Sequence, residues 1–153
     1  MTFLLCFLIG LFAGLRSLTP PAVTAWAARL GWLKLEGLFA FMGSVPTAAI
    51  FTILAVAELV ADKLPKTAAR TAPPGLIARI VTGAFTGACI AASGGQAIPL
   101  GAFLGAVGSL VGCFGGYQVR TRLVRALGTP DIYVALLEDL VTIAGSLWVV
   151  SRF

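Results

Sequence analysis

Apolar residues run along this chain in long unbroken blocks. They neither alternate with polar residues, as in a half-buried strand, nor keep to one face, as in a helix with a wet side. Blocks with no wet side are built for lipid, where the backbone satisfies its own polar groups only in helices or in a closed barrel. Barrel strands would alternate, so the pattern predicts helices.

The first block covers residues 2–18. Thr19-Pro20-Pro21 breaks it, because the second proline disfavours helical geometry at the first and neither ring donates a backbone hydrogen bond. The break is a kink or a re-entrant corner. Beyond it Val23, Trp26, Ala27, Leu30 and Leu33 recur at helical spacing beside Arg29 and Lys34, the pattern of an interfacial or half-spanning amphipathic helix.

A second span is predicted over residues 37–61, ended by Asp62-Lys63-Leu64-Pro65-Lys66. A third runs from Pro73-Pro74, where proline suits a first helical turn, to Ser93-Gly94-Gly95. A fourth covers residues 98–117, closed by Arg120, Arg122 and Arg125, and Thr129-Pro130-Asp131 introduces a fifth that reaches Val150. The expected fold is all-α, a polytopic transmembrane helical bundle forming a single domain over residues 1–153. It has about five spans, the first broken at Pro20-Pro21, to cross a hydrocarbon core of about 30 Å.

Composition agrees. Hydrophobic residues make up 59% of the chain and charged ones only 11%, against about 25% charged in ordinary soluble domains. The net charge of +5 sits at block ends and not in one stripe with interleaved aromatics, so it speaks for topology and against nucleic acid. Lys63, Lys66 and Arg70 share a side with Arg120, Arg122 and Arg125, and the turn between the third and fourth spans carries no basic residue. The positive-inside rule places the basic side in the cytoplasm, which with five spans puts the N-terminus inside and the C-terminus outside a bacterial inner membrane. No basic stretch precedes the first block, so it is read as a retained span, although Ala25-Trp26-Ala27 imitates a signal cleavage site.

Histidine is absent, which removes the commonest transition-metal ligand and general base. Cys6, Cys89 and Cys113 each lie inside an apolar block and read as small buried hydrophobes. No glycine loop carries the Lys-Ser/Thr of a phosphate cradle, and Ser17 and Thr19 beside Arg16 have no base nearby. The chain is therefore not expected to be an enzyme, nor to hold a cofactor. Its carboxylates would suit Mg²⁺ or Ca²⁺, but no loop has a calcium-binding spacing, so no metal is expected. Paired carboxylates equally suit proton carriage, and spacing does not choose.

Two further patterns carry information. In the fourth span Gly101, Gly105, Gly108, Gly112, Gly115 and Gly116 fall on one helical face, and Gly10 with Gly14 and Gly83 with Gly87 repeat the GxxxG spacing. Such faces let helix backbones approach closely in lipid. Packing within the chain is the favoured reading, a homodimer seam the alternative, and a narrow pore lining a third.

The second pattern is ionic: Arg16, Glu58, Asp62, Arg79, Glu138 and Asp139 lie within or beside apolar blocks. Translocon-based scales put the cost of one such charge at a helix centre at about 2.5 to 3.5 kcal/mol, so these residues should face inward and find partners. Glu58 and Asp62, four apart, share a helix face. The expectation is a polar cluster of Glu58, Asp62, Arg79, Glu138 and Asp139 opening to the cytoplasm, with Arg16 nearer the far side and Lys63 and Lys66 as topological anchors. The bland alternative is that these charges snorkel to headgroups or pair to lock the bundle.

The stretches Gly14-Leu15-Arg16-Ser17-Leu18-Thr19-Pro20, Glu58-Leu59-Val60-Ala61-Asp62-Lys63-Leu64-Pro65 and Leu137-Glu138-Asp139, in this order, resemble a family of small bacterial membrane proteins known as domain-of-unknown-function family 4126. The resemblance covers nearly the whole chain. It implies a multi-span membrane protein, no known reaction, and a role for Arg16, Glu58, Asp62, Glu138 and Asp139. Longer members have Ala where this chain has Ser17.

The expected partner is the lipid bilayer, and the leading functional expectation is a small transporter or channel for a small ion, solute or lipid headgroup. A homodimer is one arrangement of it. The alternatives are a non-transporting membrane scaffold and, more weakly, a lipid-modifying enzyme.

Overall fold

The computed structural model describes residues 1–63, 72–128 and 130–153, and among these every regular element is a helix. Lys66, Arg70 and Thr129 lie outside the described residues. The elements are α1 (Thr2–Leu15), α2 (Thr19–Arg29), a short 3-10 helix (Gly37–Gly43), α3 (Val45–Ala61), α4 (Pro73–Ser93), α5 (Ile98–Leu127) and α6 (Asp131–Val150).

The prolines that were expected to break the first span begin a new helix instead. Pro20 and Pro21 occupy the first turn of α2, where an N–H would have no helical partner anyway. The break itself falls at Arg16, which ends α1 in an extended conformation (φ −138°, ψ 115°). Of the two readings of this corner, the structure has the re-entrant one: α2 turns back alongside the bundle. Gly31 and Trp32 beyond α2 share a surface hollow with Ser151 and Phe153. Lys34 N–H donates to Ser93 Oγ at 3.1 Å, and a side chain at Gly94 would touch both Thr2 and Phe153.

Both chain ends therefore lie at one end of the bundle. The prediction of opposite sides for the two termini assumed an odd number of passes. In the structure α1 and α2 form a helical hairpin that enters and leaves at the same end, which restores an even count.

By length and composition α4, α5 and α6 can each cross a membrane. The segment expected as one span over residues 37–61 is two helices, the 3-10 helix and α3, meeting at 67°. The cause is local: Ser44 caps α3 by accepting a hydrogen bond from Thr47 N–H at 3.3 Å, and a proline stands in the first turn. α1 has 14 residues, about 21 Å at 1.5 Å per residue. α5 extends beyond the predicted Tyr117 to Leu127, because the exposed Arg122 and Arg125 are compatible with a helix that has left hydrocarbon. Gly128, at φ 59°, closes it in the left-handed conformation.

α5 is the central helix, clasped by α1 on one side and α4 on the other. Its glycines make this contact. A Cβ at Gly108 would overlap the Phe7 carbonyl of α1 and one at Gly112 the Leu11 carbonyl, whereas one at Gly105 would overlap the Gly83 carbonyl of α4 and one at Gly101 would meet Ala91. Gly10, Gly14, Gly83 and Gly87 answer from the facing helices, against Gly101, Gly105, Ser109 and Cys113 of α5. The stripe read as one face thus serves two neighbours within the chain. Gly115 lies past the contact, exposed, with nothing within 4 Å of a Cβ there.

Backbones this close leave no room for a methyl group. Gly105→Ala is expected to destabilise the detergent-solubilised protein by about 1–3 kcal/mol, the usual cost of overpacking, while Gly115→Ala, with open space around it in a helix, is expected to raise stability by up to about 1 kcal/mol. Thermal unfolding of the two variants side by side checks this, and equal midpoints would contradict the clasp.

Candidate functional site

Breaking a helix inside an apolar bundle frees backbone groups that water cannot reach, and each needs a partner. Here two side chains supply them. Glu58, on the last turn of α3, spans the start of α2: its Oε1 accepts from Ser17 N–H at 2.9 Å and Ser17 Oγ at 2.7 Å, and its Oε2 accepts from Leu18 N–H at 2.8 Å. Arg79, buried on α4, donates from Nε to the Gly14 carbonyl at 3.1 Å, at the end of α1. An anion thus faces a helix N-terminus and a cation a helix C-terminus, matching both macrodipoles. Glu58 and Arg79 approach each other at 3.8 Å.

Arg16 lies between these and a second group of ions. Its side chain is 0% exposed, with Nη1 2.6 Å from Asp62 and Nη2 2.6 Å from Asp139. Asp139, buried on α6, also accepts from Lys63 Nζ at 2.6 Å. Arg120 of α5 reaches Asp62 at 3.0 Å and Glu138 at 3.4 Å through Nη1, and its Nε donates to Asp131 at 2.8 Å. Cations and carboxylates alternate, so Asp62 and Asp139 each touch two cations.

All six ions singled out from the sequence meet at this one place. Arg16 is not on the far side: α1 runs in the same direction as α3, so its last residue lies level with Asp62. Lys63, expected only as an anchor, and Arg120, expected only to close a span, belong to the network. A signal for Arg120 was present, because α5 ends at Leu127 and α6 begins at Asp131, and Arg120 and Glu138 each stand seven residues from these facing ends. Ser17 was noticed as a hydroxyl beside Arg16, but its partner, Glu58, is 41 residues away.

The network lies inside the bundle. Asp139 is eight residues into α6, which places the hairpin tip roughly 10 Å short of the helix ends at 1.5 Å per residue. Beside it a groove of about 440 Å³ opens between α5 and α6, walled by apolar residues such as Leu15, Val119, Leu123 and Val134 and by Gly112 and Gly116, with Arg120 and Glu138 on its lining.

A protein-family model described as Domain of unknown function (DUF4126) matches residues 3–151. No curated protein and no solved structure matches the chain.

The pairing has a measurable energetic consequence. Removing Arg16 takes one of two cations from Asp62 and from Asp139 and leaves the two carboxylates sharing the space it filled, so Arg16→Ala is expected to cost about 3 kcal/mol. Adding Asp139→Asn to that variant removes one of the two negative charges and should restore part of the loss. A double-mutant cycle on unfolding free energy checks this, and strict additivity would refute the pairing.

Proposed function

The chain belongs to the DUF4126 family, and on that premise we propose that it is a small membrane transporter whose site for a small anion is the tip of the α1–α2 hairpin. The observation that carries the reading is the setting of Glu58. Two backbone N–H groups at a helix start, a hydroxyl and a nearby guanidinium form the donor set that recognises an oxyanion or halide, and here they hold a side-chain carboxylate instead. Interrupted helices meeting inside a membrane bundle are a common way for carriers to bind solute. In this reading Glu58 occupies its own anion site and closes it, and withdrawal of its charge opens the donors to an external anion. Arg16 and Arg79 keep the site positive, while Asp62 and Asp139 keep it from trapping the anion permanently.

Flux measurements in proteoliposomes test it. With chloride, phosphate and acetate as probes, Glu58→Gln is expected to raise anion flux several-fold over the unmodified chain and Arg16→Ala to abolish it. Equal flux through all three would end the transport reading.

One observation favours a second reading, a membrane scaffold: the central ions are all paired, as a lock would require. It predicts no flux in any variant and a stoichiometric heterologous partner on purification in mild detergent.

The same reading fixes an orientation. Lys63, Arg120, Arg122 and Arg125 stand at or beyond the network end, against Arg29, Lys34 and Arg152 at the other, so the excess of basic residues favours a network end that faces the cytoplasm of a plasma membrane, with both termini facing away. Reporter fusions to the C-terminus are expected to report the non-cytoplasmic side. A cytoplasmic signal would reverse the assignment.

A further inference from the structure

Hydroxyl groups in membrane helices ordinarily bond to a carbonyl one turn back. Those of Thr52, Thr82, Thr86, Thr121 and Thr142 do so here at 2.7 to 2.9 Å. Three others do not. Thr19 Oγ1, Thr24 Oγ1 and Ser146 Oγ have no hydrogen-bond partner among the described residues, and their side chains belong to residues only 4%, 0% and 0% exposed.

The three lie on the two helices that pack together behind the ion network, α2 and α6. These helices touch at both ends. At the network end Arg16, just ahead of α2, binds Asp139, and at the other end Gly31 and Trp32, just past α2, adjoin Ser151 and Phe153. Ala27 of α2 packs with Val149 and Val150 of α6, and one turn back along each helix, toward the network, stand Thr24 and Ser146. Asp139, Thr142 and Ser146 fall on one buried face of α6 at helical spacing, which leads from the network inward. One turn further the seam becomes wholly apolar, with Ala27, Leu33, Val149 and Val150 in a single core cluster with Ile9.

A buried hydroxyl left without a partner is costly, and one such group would be an exception worth explaining. Thr24 and Ser146, on one seam below a charged network and above an apolar plug, have a common explanation, whereas Thr19, five residues before Thr24, points to another side of α2. We propose that the α2–α6 seam is a water-binding site, in which ordered water held by Thr24 and Ser146 connects Asp139 with the middle of the bundle. Neutral hydroxyls that both donate and accept suit water, which needs two to four polar partners, better than a bare cation, which Arg16 and Lys63 would repel. The inference concerns hydration and stands apart from the transport reading.

Water-to-protein magnetisation transfer in solid-state NMR tests it on the full chain in bilayers, with threonine and serine labelled. Transfer to Thr24 and Ser146 is expected at mixing times close to those of exposed Ser151, and well ahead of Thr86, which is equally buried but bonded to its own helix. The Thr24→Val/Ser146→Ala variant should slow transfer to the neighbouring Thr142 and lower the unfolding temperature. If Thr24 and Ser146 respond as slowly as Thr86, or the double variant unfolds at a higher temperature because two unpaired groups have been removed from a dry seam, the site is refuted. Absence of anion flux in vesicles alongside rapid transfer would count against the transport reading and in favour of a water site independent of it.

Discussion

An interrupted helix in hydrocarbon has to find, inside the protein, partners for backbone groups that water would otherwise serve. At the corner between α1 and α2 the freed N–H groups of Ser17 and Leu18 and the freed carbonyl of Gly14 are met by Glu58 and Arg79. These two side chains come from α3 and α4, so the corner exists only when four helices are assembled. Leaving one such group unmet costs about 1–3 kcal/mol, more when the partner is charged. The remaining ions follow from this need, since each charge brought inward to serve the corner requires compensation in turn. Arg16 meets Asp62 and Asp139, which meet Arg120 and Lys63, which lead out to the surface.

Such a network gives little net stability, because desolvation of the ions offsets most of their attraction. What it provides is specificity: the hairpin tip has one depth and one register, and losing a member unbalances the charges it touched. The stability of the bundle comes from elsewhere, chiefly from the glycine contacts of α5 with α1 and α4, where backbones meet without intervening side chains. Packing and charge meet at Gly14, which touches α5 closely and whose carbonyl accepts from Arg79 at the corner.

The apolar blocks and the glycine spacing were enough to read a helical membrane bundle from the chain, and the rarity of ions within those blocks was enough to single out Arg16, Glu58, Asp62, Arg79, Glu138 and Asp139. Their partners were harder to see. The depth of Arg16 depends on how many times the chain passes through the bundle, and a hairpin with two short arms looks in sequence like one broken span. The bend at Ser44 was hidden for a related reason: hydrophobicity is continuous from Leu38 to Val60, and only the Ser44-Val45-Pro46 cap signals a new helix start. The orphan hydroxyls of Thr24 and Ser146 are invisible in sequence, because most serines and threonines in these helices satisfy themselves locally and nothing in composition distinguishes those that do not.

The 67° bend ahead of α3 bears on how the molecule could move. α3 packs mainly on α2 and on the short helix that precedes it, with Trp26 donating to Thr52 at 2.9 Å, and it is otherwise fastened by Glu58 and Asp62 at its far end. A rod held at one end by a corner in the backbone and at the other by ionic latches is mechanically a lever. The close glycine contacts tie α1, α4 and α5 to one another, and α3, which stands outside them, carries Glu58 and Asp62 at the end away from the bend at Ser44.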